Sequence, residues 1–442
     1  KDSEFVGDNI TFRDNNIGNG FYVNPQSKIK ITNSHFFNIG LYCFCTISSN
    51  DQSKSAKITI QNCDFSSSQI DKLDDQKKQV AILISDRAKF TVDNCKFSNL
   101  KRAIAMKSSS EDSSIKNCTF ENMSNCAIDA TSSSNAVFEK CTISNSVVIP
   151  DVNVSVVGKI QSDDNCIKFV KCTFSKGQKN ISISQKGVAR FEDCTFKESE
   201  SQSVEIGDGG NVSFDNCLFR NNRFLGLLVT NNSKANVENS SFFANSFNGF
   251  VCERKSSLTL KNSKVYDHKR AGGGTIRSSS KCVIDNTEFY GNFSFNLELN
   301  TGSDAEITNS NIHSSAGMTS IYVHEESVLV MSSTNIHDES STAIHIETNS
   351  SVTMTKCGVY NCHNSGINFV NKDVFAGGKS ANSRLALKEC HIHHNSPFGV
   401  VYFAGKLTLE KCKFDNNVSG DIGKYEGIKD FSVDPSEQIK VV

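Results

Sequence analysis

Glu298, Tyr322 and His345 occupy the same place in three successive copies of a repeated phrase, and Glu347 follows two residues after the histidine. An acid, a phenol and an imidazole within mutual reach can hold and move protons in general acid–base chemistry. The row they belong to runs through Tyr42, Ala105, Asp129, Ser182, Glu205, Leu228, Val251, Glu298, Tyr322, His345, Asn368 and Val401. No two acids fall on adjacent copies of it, whereas a glycosidase needs two carboxylates roughly 5–9.5 Å apart. A polar outer face produces such a trio without any chemistry. The expectation is therefore no assigned catalytic residue, with Glu298, Tyr322 and His345 as the candidate cluster. The run HIHH at His391–His394 offers imidazoles to a metal, but two of them share one strand face with no acid neighbour, which reads as chance. No CxxC pair suggests zinc, so neither metal nor cofactor is expected.

A second row holds Phe243, Tyr266, Tyr290, His313, His337, Tyr360 and His393, each three residues past a small anchor residue in seven consecutive copies. Rings beside solvent can bind sugars or a partner protein. They can equally stack on one another and only stiffen the fold. Sequons occur at Asn9, Asn117, Asn122, Asn153, Asn180, Asn211, Asn231, Asn239, Asn292, Asn349 and Asn417. A chain rich in Asn and Ser gives about that many by chance, so they are candidates for glycosylation and no more.

These rows exist because the chain repeats itself. Anchors fall at Ile10, Ser34, Cys63, Cys95, Cys118, Cys141, Cys172, Cys194, Cys217, Ser240, Ser263, Thr287, Ser310, Thr334, Cys357, Cys390 and Cys412, which is 17 copies. Twelve of the 16 spacings are 22–24 residues, and the residue two past the anchor is Phe in 11 copies. An alternating run such as KITIQN or LTLKN precedes the anchor, and a run such as GLLVTN or AIHIET follows it. Period-2 alternation over four to six residues predicts short strands. Each copy thus supplies three of them, joined by Asn, Asp, Ser and Gly turns. One copy cannot bury its apolar face, but stacked copies can. The phrase NCxF…N…G-[IVL]-x-[VIF] resembles the repeat of the right-handed parallel β-helix of the pectin-lyase-like superfamily. The resemblance implies an all-β solenoid of about 17 coils of ~23 residues, three short strands per coil. It is specific for fold and weak for function, because that superfamily includes lyases, glycosidases and non-catalytic surface proteins. Leucine-rich repeats share the period, but need several Leu per copy, and there are only 17 Leu in 17 copies.

The expected layout is one β-helix over 1–420, with inserted loops near 48–56, 67–78, 147–163 and 371–383, and a tail over 421–442 that caps the solenoid or adds a strand to an edge. A net charge of −1 argues against nucleic acid, and no apolar run approaches a membrane span. The 17 Cys are an odd number, and Ser or Thr replaces the anchor Cys freely. They read as buried thiols rather than a disulfide framework. The chain starts at Lys1 without a signal-peptide pattern, which fits a processed form or a piece of something longer. An extracellular or cell-surface home is expected, with a cytoplasmic or cytoskeletal assembly as the alternative. The functional expectation is a non-catalytic structural or adhesive protein, joined to itself or to other subunits through coil ends and the aromatic strip. The alternative is a carbohydrate-active enzyme, a polysaccharide lyase or glycoside hydrolase, or a glycan-binding module.

Overall fold

The computed structural model describes residues 3–14, 20–38, 40–46, 55–68, 79–84, 88–107, 113–131, 135–146, 152–158, 166–317, 319–347, 349–370, 382–403, 405–424 and 439–441. They form an all-β right-handed parallel β-solenoid of about 15–17 coils, with no helix among them. Each sequence copy supplies one strand to each of three parallel sheets. The alternating run builds the first sheet, the anchor–x–Phe piece the second, and the run after the turn the third. The chain divides into two compact units, Lys1–Phe224 and Leu225–Val442.

The corner between the first two sheets explains the Asn–Cys phrase. The residue before the anchor must take a left-handed conformation, and Asn tolerates this better than other side chains. Asn33, Asn62, Asn94 and Asn117 have φ of 51–52° in the first unit. Asn239, Asn262, Asn286 and Asn309 have φ of 46–51° in the second. The anchor side chain then donates to the carbonyl two residues back. Cys63 Sγ reaches Gln61 O at 3.1 Å, Ser240 Oγ reaches Glu238 O at 2.6 Å, and Ser310 Oγ reaches Thr308 O at 2.7 Å. Cys, Ser and Thr interchange because each is small and carries one donor. The anchor is therefore a cap on the turn as well as core. All 17 Cys are thiols outside any disulfide, and all but Cys412 are buried.

In the first unit the register keeps like residues in columns. Phe36, Phe65, Phe97 and Phe120 pair in sequence along the second sheet, with rings stacked at 4.8, 4.7 and 4.9 Å. A first-sheet column, Phe169, Phe191 and Phe214, meets a second-sheet column, Phe174, Phe196 and Phe219, edge to face, as at Phe191–Phe196 (5.3 Å, 74°). Stacked rings within a column and tilted rings between columns both suit the aromatic quadrupole. In the second unit the first-sheet column is aliphatic: Leu260, Ile284, Ile307, Met331, Met354, Leu387 and Leu409.

Two expectations about layout change. Residues 147–163 are not one inserted loop: Val152–Val157 is a third-sheet strand, registered between Cys126–Thr131 and Lys179–Ser184, and the alternation of VNVSVV buries Val154 and Val156. Tyr42 is not in the outward row, since Cys45 is the residue registered with Leu83 and hence with Ala105. As for the tail, the strand Ile439–Val441 adds to the first sheet, on Lys406–Glu410. Most of the inserts near 48–56, 67–78 and 371–383 lies outside the described residues, as does 425–438 of the tail.

Candidate acid–base site on the third sheet

In the second unit, five outward residues of the third sheet stand in exact neighbour register: Thr275, Glu298, Tyr322, His345 and Asn368. The strands Gly274–Ile276, Leu297–Leu299, Thr319–Val323, Thr342–Ile346 and Ile367–Phe369 carry them, and their flanking residues point into the core, as Leu297 and Leu299 do at 0 % exposure. Parallel neighbours lie ~4.8 Å apart, so the three candidate residues span about 10 Å. Two residues further along the same face come Arg277, His324 and Glu347, because outward positions recur at i+2.

Hydrogen bonds knit these groups into two clusters. In the first, Asn248 Nδ2 donates to Thr275 Oγ1 (2.8 Å), Thr275 Oγ1 donates to Glu298 Oε2 (3.1 Å), and His324 Nε2 lies 3.3 Å from Glu298 Oε1. Burial pushes the Glu298 carboxyl up, but the hydrogen bonds from His324 and Thr275 outweigh it and hold the group below the usual carboxylate range. In the second, Glu347 is only 5 % exposed, and its Oε1 accepts from Tyr322 Oη (2.5 Å) and sits 3.3 Å from His345 Nε2. Burial, then the bond to Glu347, push the Tyr322 hydroxyl well above its ordinary pKa, so it keeps its proton at neutral pH. A carboxylate only accepts, so His345 Nε2 carries a proton in that contact and Nδ1 is the ring nitrogen left to face a substrate. The Tyr322 and His345 rings stack at 4.8 Å. One coil on, Asn368 donates through Nδ2 to Thr342 Oγ1 (3.0 Å), while its buried Oδ1 has no hydrogen-bond partner. Such an orphan acceptor beside a reactive pair is an opening for a ligand donor.

The turns that launch these strands are held by a buried polar ladder that the sequence reading missed. Asn292 Nδ2 donates to Asn296 Oδ1 (2.7 Å), and Asn296 Nδ2 donates to Ser320 Oγ (2.9 Å) and Glu339 Oε1 (3.4 Å). Glu339, fully buried, also accepts from Ser315 N (2.8 Å) and Ser315 Oγ (2.5 Å) through Oε2. Burial pushes its carboxyl up despite these donors. Asn296 and Ser320 precede Glu298 and Tyr322 by two residues, and Glu339 lies in the turn before the strand of His345. The signal was present at five places past the anchor, where Asn245, His268, Asn292, Ser315, Glu339, Asn395 and Asn417 recur.

The aromatic strip forms in full. Phe243, Tyr266, Tyr290, His313, His337, Tyr360 and His393 stack in order with centroids 4.8–5.3 Å apart and planes within 11° of parallel. Both faces of each inner ring are covered by neighbours, so the strip presents edges rather than ring faces. Of the sequons, Asn153, Asn180 and Asn292 are at most 2 % exposed and hydrogen-bonded inside, for example Asn180 Nδ2 to Ser203 Oγ at 2.7 Å. These three cannot meet a glycosyl donor in the folded chain. The expectation that no acid accompanies His391 and His393 also changes: Asp415, from the next coil, is registered with His393 and lies 3.0 Å from His391 Nε2. Asp415 is three past its anchor, the very place that marks the aromatic row. No helix among the described residues is long and apolar enough to cross a membrane.

The family model described as the right handed beta helix region matches residues 19–166, 155–293 and 275–429. No curated protein matches the sequence. Among solved structures, a periplasmic alginate epimerase, AlgG, is 11% identical over 84% of this chain and 78% of its own, with a TM-score of 0.43. The pectate lyase Pel9A is 11% identical over 65% of this chain and 70% of its own, TM-score 0.38. The A-module of the Azotobacter vinelandii mannuronan C-5 epimerase AlgE4 is 11% identical over 90% and 89%, TM-score 0.36. Likeness at this level is likeness of fold. The expected non-catalytic structural or adhesive role, with head-to-tail assembly, is corrected: the solved structures found are polysaccharide epimerases, a lyase and a glucanase.

Proposed function

Because the chain belongs to the right-handed β-helix region family, whose solenoid sets outward side chains in register, we propose that the third-sheet face of the second unit is a carbohydrate-active site working by acid–base chemistry. The observation that carries the reading is the shared oxygen of Glu347, which holds both the Tyr322 hydroxyl and the His345 imidazole. A buried carboxylate that fixes a histidine tautomer leaves the other ring nitrogen set as a base, as in nucleophile–base–orienter constellations generally. Glu298, held below the usual carboxylate range, is not the raised-pKa proton donor that a glycosidase needs.

The substrate class is a polysaccharide bearing uronate residues, because a neighbouring carboxyl group makes a sugar C–H acidic enough for an imidazole to remove. His345 Nδ1 takes that proton, a carbon–carbon double bond forms, and the glycosidic C–O bond breaks. The leaving oxygen takes a proton from Tyr322, which carries one at neutral pH. The orphan Asn368 Oδ1 accepts a sugar hydroxyl. Glycans are the partner in this reading, and the compartment is extracellular, cell-surface or periplasmic, where such polymers are met.

The test is turnover of polyuronates and neutral polysaccharides by the full chain, following the ultraviolet absorbance of unsaturated uronate and, separately, new reducing ends. Expected is absorbance growth lost at least about 100-fold in His345→Ala and in Tyr322→Phe, the size of a general acid–base contribution. Reducing ends without absorbance would mean hydrolysis and overturn the eliminating mechanism. No turnover of any polymer, or full activity in both variants, would overturn the site.

A further inference from the structure

A second constellation of chemically competent side chains lies on the second sheet of the same unit, away from the acid–base face. His391 and His393 are alternate residues of the strand His391–His393, so they share its outer face, with Ile392 between them pointing inward at 0 % exposure. On the next coil, Asp415 is registered with His393 and Lys413 with His391. The two imidazole centroids are 4.0 Å apart, and Asp415 Oδ2 is 3.0 Å from His391 Nε2. One ligand atom from each of His391, His393 and Asp415 can be chosen so that all three lie within 4.8 Å of one another. A fourth group adjoins them: His394 Nδ1 is 2.7 Å from His393 Nδ1.

From this geometry we infer that His391, His393 and Asp415 form a binding site for one divalent late transition-metal ion of the zinc type. Imidazole nitrogens bind such ions at about 2.0–2.1 Å and carboxylate oxygens at about 2.0–2.2 Å. Ligand atoms around a tetrahedral ion are then roughly 3.3–3.5 Å from one another. The three atoms, within 4.8 Å of one another, stand somewhat wider than that, so rotation of the side chains has to draw them together around an ion. Two imidazoles and one carboxylate favour zinc, nickel or copper over calcium or magnesium, which prefer all-oxygen shells. Three protein ligands leave an outward position for water, the pattern of an open rather than a closed site.

Two features tune the site. Asp415 Oδ2 already lies 3.0 Å from His391 Nε2, so the carboxylate oxygen is turned toward the imidazole pair before an ion arrives. Lys413 Nζ, 2.6 Å from the same Oδ2 and 69% exposed, competes for that oxygen and must swing into solvent when an ion binds. The competing soft ligands of the chain, its thiols, are buried apart from the half-buried Cys412.

The test is equilibrium dialysis of the full chain against zinc chloride with metal analysis of the protein, repeated with cobalt chloride to read the visible spectrum of the bound ion. Expected is one zinc per chain, weakened at least about tenfold by His391→Ala and by Asp415→Asn, tightened by Lys413→Ala and unchanged by His345→Ala. The altered residues are surface-placed, and far-ultraviolet circular dichroism checks that each variant is folded. Zinc uptake below one ion per chain at saturation, or uptake indifferent to His391→Ala and Asp415→Asn, overturns the inference. Equal loss in His345→Ala overturns it too, since the ion would then belong to the acid–base face.

Discussion

Replacing Glu339 is the sharpest probe of how the fold positions the proposed site. Its carboxyl accepts hydrogen bonds from Ser315 N, Ser315 Oγ and Asn296 Nδ2 in a turn that water does not reach. Glu339→Ala orphans the Ser315 backbone N–H, at about 1–3 kcal/mol, and strips a partner from two side chains that keep others or can rotate. Relief of a carboxyl whose own burial is unfavourable offsets part of this. The net expectation is a loss of about 2–4 kcal/mol, seen as a urea midpoint lower by roughly 0.5–1 M with an unchanged slope. Glu339→Gln keeps one acceptor oxygen and should cost about 1 kcal/mol. The assay is urea unfolding followed by circular dichroism, because the chain has no Trp. The pH dependence has a definite sign. Burial raises the folded-state pKa of Glu339 above its unfolded value, so the native state holds its proton more tightly. Its contribution is fully present below the ordinary carboxyl range and is lost as pH rises through the raised value. The stability gap between the native protein and Glu339→Gln should therefore widen as the solution is acidified through that window. A Glu339→Ala protein within about 0.5 kcal/mol of the native one, or a gap that narrows on acidification, would refute the reasoning.

Two further predictions concern the first unit and the thiols. Phe97→Ala opens a hole between the rings of Phe65 and Phe120, stacked on it at 4.7 and 4.9 Å, and should cost about 3–5 kcal/mol by urea unfolding, with Phe97→Leu well below that. Burial pushes the thiols of Cys43, Cys194 and Cys282 up, and that of Cys252 up to about 12. Since the thiolate is the reactive form, these four should resist a disulfide-exchange reagent at neutral pH in the folded chain, and the full set of 17 should titrate only in denaturant.

Much of the fold was legible because a solenoid converts sequence period directly into spatial column. The 22–24-residue spacing, read without coordinates, put Phe120 over Phe97 and His337 over His313, and the register agrees. The row Glu298–Tyr322–His345–Asn368 was legible for the same reason. What the period could not supply was contact between different rows. Glu347 meeting Tyr322, His324 meeting Glu298, and Asp415 meeting His391 all join side chains offset by one coil and two residues. Copies interrupted by extra residues were also misread: the strand Val152–Val157 looked like an inserted loop because the copy around it is long.

The sequence by itself determined which residues share a column and which face inward, since coils of nearly constant length leave the chain no other register that buries every Phe, Ile and Leu of the repeat. Only the tertiary structure decided which polar groups touch. Hydrogen bonds depend on angles and ångström distances between side chains of neighbouring coils, and the same spacing that aligns Glu339 with Ser315 says nothing of whether the carboxyl turns inward to meet it. The period fixes where each residue stands; packing fixes what it holds.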